Sequence, residues 1–154
     1  MRQPESTKYP RASIKKEWLT KEESGIIIHV NVKTRYMAYD DGLCVVFFED
    51  TKGNTLTSNS GDSEYLNSEN QIVTTQHFEP EEAKQTIYDI QLFVPYYMFP
   101  IKNAGKIGYD VYVRKKIDGE WEDIAHEFDS FDLTRREIES VKFEDDVLPC
   151  DSAK

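Results

Sequence analysis

TIYDIQLFVPYYMF, residues Thr86 to Phe99, reads as one strand followed by an aromatic connection. Tyr88, Ile90, Leu92 and Val94 alternate onto one face, and Ile87, Asp89, Gln91 and Phe93 onto the other. Period two with β-branched and aromatic side chains marks a half-buried strand. Pro95 lacks a backbone donor and predicts the strand's end. Tyr96, Tyr97, Met98, Phe99, Pro100 and Ile101 then form an apolar run where a polar loop is the norm.

The neighbouring segments repeat the pattern. In Gly25–Tyr36, Ile26, Ile28, Val30 and Val32 oppose Ile27, His29, Asn31, Lys33 and Arg35. In Lys106–Lys116, Ile107, Tyr109, Val111 and Val113 oppose Gly108, Asp110, Tyr112 and Arg114. Ser13–Thr20, anchored by Ile14 and Trp18, Leu43–Asp50, Gln71–Phe78 and Trp121–Phe131 add further strands, and Thr55–Thr57 a short edge strand. Leu43–Asp50 is apolar almost throughout. Turn signals separate the strands: Lys21–Gly25, Asp40-Asp41-Gly42, Lys52-Gly53-Asn54 and Asp118-Gly119. About seven or eight strands at this spacing predict an all-β fold. The expected architecture is an antiparallel, immunoglobulin-like or C2-like β-sandwich over residues 13–131. A loose N-terminal arm (1–12) and an acidic C-terminal tail or short helix (132–154) are expected to flank it. Thr134 to Glu137 has the form of a capping box.

The chain has 154 residues and a formal charge of -10. One domain with a self-sufficient core is expected. The acidic balance and the absence of a basic stripe argue against nucleic acid and an anionic membrane as partners. Cys44 lies in an apolar run and Cys150 near the end, so no disulfide framework is expected. No apolar leader or run of membrane-spanning length is visible, which makes the cytoplasm the expected location.

Trp18, GIIIHVNV, LCVVFFED, Tyr65, QIVTTQHFEP, YDIQLFVPY and a GYDVYV–DGEW hairpin follow one another. Their order resembles a small β-sandwich module of Bacteroidota proteins that often accompanies zinc-ribbon, repeat or peptidase domains. The resemblance runs from Ile14 to Phe131 and is most specific at Tyr88–Tyr96 and His77–Pro80. It implies a sandwich with an accessory role and supplies no catalytic residue.

The three histidines, His29, His77 and His126, show no HxxxH or HExxH spacing. No nucleophile elbow or phosphate-binding loop occurs. Nothing marks a carboxylate pair for acid–base work. An enzyme is therefore not expected, and no cofactor. Two groups remain. Tyr96, Tyr97, Met98 and Phe99 are suited to anchor a partner, or else to plug the end of the sandwich as a core lid. Asp40, Asp41, Glu79, Glu81, Glu82 and Asp118 sit in loops that an immunoglobulin-like order gathers at one end, where calcium could use them. The leading expectation is a non-enzymatic module that binds another protein, self-associates or serves as a structural adaptor. A calcium- or ligand-dependent binding domain is the alternative.

Overall fold

The computed structural model describes residues 9–139. Of the expected arm and tail, residues 1–8 and 140–154 lie outside the described residues. Among the described residues seven strands follow in order: β1 (Arg11–Lys21), β2 (Gly25–Arg35), β3 (Gly42–Glu49), β4 (Val73–Phe78), β5 (Lys84–Pro95), β6 (Gly105–Ile117) and β7 (Glu120–Leu133). They form a three-stranded sheet, β1-β2-β5, and a four-stranded sheet, β4-β3-β6-β7. Every pairing is antiparallel. This is the expected all-β sandwich. In the constant-type immunoglobulin order the fourth strand joins the first, second and fifth. Here it pairs with β3 instead. The expected edge strand at Thr55–Thr57 makes only isolated bridges, Glu49↔Thr55 and Thr57↔Gln71.

The alternation read from β2 and β6 sets the core. Ile26, Ile28, Val30 and Val32 pack in one cluster with Cys44, Val46 and Phe48 of β3 and with Ile107, Tyr109, Val111 and Val113 of β6. Burial pushes the Cys44 thiol up to about 12, so it stays protonated and inert.

Three bulges break the simple pattern, on β5, on β1 and at Ile124 of β7, where Val113 pairs with Ala125 but Arg114 with Asp123. On β5, Val30 pairs with Ile90 but Val32 pairs with Ile87, so Tyr88 and Asp89 together oppose one residue. Ile87 packs against the core while Tyr88 is 73% exposed, reversing the faces expected for these two residues. Asp89 takes a left-handed φ of 55°, which aspartate tolerates better than most residues. Its backbone N–H donates to Asn31 Oδ1 at 2.8 Å, and its carboxylate accepts from Gln91 Nε2 at 2.8 Å. His29 Nδ1 lies 2.6 Å from Asp89 Oδ1, and His29 Nε2 lies 2.8 Å from Thr20 Oγ1. Trp18 stacks on the imidazole at 4.8 Å. These groups pin the bulge. On β1 the register shifts at Lys15, so Ile14 keeps the face of Val32 while Trp18 shares the outer face with His29. The two anchors of this strand therefore point to opposite sides.

The aromatic connection winds into two 3-10 turns, Tyr96–Met98 and Ile101–Asn103. The long link from β3 to β4 folds over them. Ser60 Oγ lies 3.2 Å from Met98 Sδ, and Tyr97 Oη donates to Asp62. The capping box forms: Glu137 N donates to Thr134 Oγ1 at 3.0 Å, and Thr134 N donates to Glu137 Oε1 at 2.9 Å. It starts a helical turn over 135–139 that buries Ile138.

Candidate functional site

Of the two readings of the aromatic quartet, its burial supports the core lid. Tyr96, Met98 and Phe99 are each at most 3% exposed. Phe99 packs edge-on against Phe48 at 5.2 Å and Phe131 at 6.3 Å. Tyr96 Oη donates to the Glu22 carbonyl at 3.1 Å. Only Tyr97 is half-exposed. The open end of the sandwich needs a cover more than the loop needs solvent.

The acidic loops share an end, as the order of strands requires. Tyr36 N donates to the Ala83 carbonyl and Tyr39 N to the Pro80 carbonyl, each at 2.6 Å, which ties the β2–β3 link to the β4–β5 link. The β6–β7 hairpin holding Asp118 lies at the same end, since Gly42 pairs with Lys115. The carboxylates do not assemble. Asp40 instead faces Lys115 Nζ at 3.7 Å. Among the described residues, no three His, Cys, Asp or Glu side chains come together to hold a metal.

The outer face of the four-stranded sheet offers more. β3 is apolar on both sides: Cys44, Val46 and Phe48 face the core, and Leu43, Val45 and Phe47 lie on the outer face, where Leu43 and Val45 are already buried and Phe47 is half-buried. Register sets Tyr112 opposite Val45 and Asp110 opposite Phe47, with His126 and Phe128 next along on β7. Phe47 meets Tyr112 edge-to-face at 6.2 Å, and Tyr112 stacks on His126 at 4.5 Å. The Arg114 guanidinium lies over Phe47 at 5.9 Å and over Tyr112 at 5.6 Å, held by Asp123 at 2.6 Å. Phe128 is 53% exposed. It lies across Gly108, where a Cβ would approach its ring to 2.9 Å. His126 Nε2 sits 2.7 Å from Asp110 Oδ1. Burial, then a hydrogen bond to Asp110, raises the Glu49 carboxyl above its ordinary range. His77 and Trp121, from the two edge strands, meet at 5.8 Å. An aromatic ladder clamped by arginine thus crosses three strands. Sequence reasoning missed it; the signal that could have found it is the nearly continuous apolar run Leu43–Asp50, which needs cover on both faces.

A carboxylate pair lies between the sheets where β1 meets β7. The Lys15 bulge turns Glu17 inward, and Tyr109 Oη donates to Glu17 Oε1 at 2.5 Å. Burial and a hydrogen bond to Asp129 push the Glu17 carboxyl up to about 7, while the same bond lowers that of Asp129. One proton is shared between them. Glu17 is raised in the folded state, so its contribution is complete below the ordinary 4.5 and is lost as pH rises through about 7. Asp129 is lowered, so its contribution is present above the ordinary 3.8 and is lost as pH falls below that. Glu17→Gln mimics the protonated acid. It is expected to stabilise the fold by about 1–2 kcal/mol at pH 8 and by almost nothing at pH 5, after allowance for solvent screening. Thermal melts at the two pH values check this. The pair escaped the sequence because the bulge at Lys15, not the residue types, turns Glu17 inward.

No protein-family model matches this chain, and no curated protein matches it. Among solved structures it is similar to a glycosyl hydrolase family 2 member from Bacteroides cellulosilyticus. That likeness has 12% identity and a TM-score of 0.40, and covers 79% of this chain and 14% of that one. A bacterial hydrophobin, BslA, aligns at 15% identity over 81% of this chain and 93% of its own, with a TM-score of 0.31. A late embryogenesis abundant protein aligns at 11% identity over 85% and 75% of the two chains, with a TM-score of 0.35. At these identities and TM-scores the likenesses assign no activity. Among the described residues, no helix is long and apolar enough to cross a membrane.

Proposed function

We propose that this chain is a non-enzymatic protein-binding module that docks its partner on the outer face of β3, β6 and β7. The observation that carries this reading is the ladder of Phe47, Tyr112 and His126 clamped by Arg114, with the exposed Phe128 beside it on β7. Aromatic side chains and arginine are the residues most enriched at interface centres, and a rigid sheet holds them at little entropic cost. An accessory, adaptor-type role agrees with the resemblance to small sandwich modules of Bacteroidota proteins. A reducing, cytoplasmic setting suits the free thiol of Cys44.

Cross-strand aromatic pairs also stabilise a sheet in their own right. Phe128→Asp separates the two roles. It is expected to weaken partner binding by about tenfold or more while moving Tm by no more than about 4 °C. Binding to the purified partner, measured by calorimetry beside a thermal melt, checks it. An unchanged affinity with a large fall in Tm would leave the ladder a purely structural device.

A further inference from the structure

The outer face of the three-stranded sheet carries a row of like charges. Arg11 pairs with Arg35 across β1 and β2, and Arg35 pairs with Lys84 across β2 and β5. One row along, Lys33 stands between Ser13 and Thr86. Lys15 occupies the adjacent bulge in β1. Like charges directly opposite one another destabilise a sheet. The chain holds 29 acidic residues against 19 basic ones, so carboxylates are not scarce. Yet among the described residues no ion pair engages Lys15, Lys33, Arg35 or Lys84. Lys33 instead feels Lys84, then Arg35, and both lower its pKa. A shallow depression of about 290 Å³ opens among Arg11, Ser13, Lys15, Lys33 and Arg35.

We propose that this row binds a short acidic peptide segment of a partner protein. Strand spacing of about 4.8 Å makes the row roughly 10 Å long, enough for two or three carboxylates of an extended peptide. The formal charge is -10. Taking away the five cations Arg11, Lys15, Lys33, Arg35 and Lys84 leaves -15 on the rest of the chain. A long polyanion such as nucleic acid, or an anionic bilayer, meets that repulsion beyond the patch, whereas a short segment stays within it. The site lies on the sheet opposite the aromatic ladder, so it stands or falls independently of the function proposed above.

The test titrates the full chain with a labelled hexa-aspartate peptide by fluorescence anisotropy at low and at physiological salt. A short single-stranded oligonucleotide and anionic phospholipid vesicles serve as competing arms. The peptide is expected to bind, to weaken as salt rises, and to bind more tightly than either alternative. Arg35→Glu is expected to lose at least tenfold in affinity with an equal or higher Tm, because like-charge opposition is relieved. Lys33→Gln is expected to lose affinity at unchanged Tm. The proposal is overturned if the peptide does not bind, if either variant keeps wild-type affinity, or if the oligonucleotide or vesicles bind more tightly. A lowered Tm in Arg35→Glu also overturns it, since the row would then be held by structural partners.

Discussion

Phe99→Ala is expected to lower the stability of the sandwich by about 3–5 kcal/mol, the range for truncating a fully packed phenylalanine. Phe99 is 2% exposed and wedged between Phe48 and Phe131. Its loss opens a cavity beneath the 3-10 turns, under a link that cannot collapse freely because Met98 and Tyr97 are tied to Ser60 and Asp62. In a chain of this size the change corresponds to a fall in Tm of roughly 10 °C. Partner affinity measured well below that Tm is expected to hold. This combination separates the lid from a binding loop, in which the same substitution would cut affinity and spare the fold. Phe128→Asp on the outer face is expected to behave in the opposite way.

Gly25→Ala is the second large effect, at about 1–3 kcal/mol. Gly25 begins β2 and pairs with Pro95 at the end of β5. A Cβ there would press on the Val94 carbonyl oxygen and stand 2.8 Å from the Phe93 ring. The oxygen belongs to a paired backbone and has little room to retreat. The same corner holds the start of the lid, since Tyr96 N donates to the Ser24 carbonyl at 3.0 Å. Denaturant melts are expected to show a lower midpoint with an unchanged slope, the sign of lost stability without a changed unfolded state.

Much of this architecture was legible in the sequence. Alternation in Gly25–Tyr36 and Lys106–Lys116 placed two walls of the core correctly, because side-chain period and pairing register are locked together. The Asp118-Gly119 hairpin and the Thr134–Glu137 capping box could be read because each rests on local geometry alone. Reading failed at two of the bulges, on β1 and β5. The extra residue at Lys15 separated Ile14 from Trp18 and turned Glu17 toward Asp129. The bulge at Tyr88 and Asp89 exposed a tyrosine expected in the core. Bulges are set by three-dimensional networks such as Asn31, His29 and Asp89, whose members lie up to 60 residues apart. The fate of the aromatic quartet also depended on a distant segment, the Ser58–Asp62 stretch that folds over it. A run of aromatics looks the same in sequence whether it plugs a core or awaits a partner. What separates the two cases is cover, and cover comes from elsewhere in the chain.

The most direct measurement is site-specific photo-crosslinking in the native cells, with a benzoylphenylalanine placed at position 128 and, as a control, at position 39. Both native side chains are more than half exposed, Phe128 at 53% and Tyr39 at 71%. Of the two, only Phe128 lies beside the ladder that crosses β3, β6 and β7. A discrete crosslinked protein formed from position 128 and not from position 39 is the expected result. Crosslinks from position 39 alone, or none from position 128, would contradict the outer face of the four-stranded sheet as the docking surface.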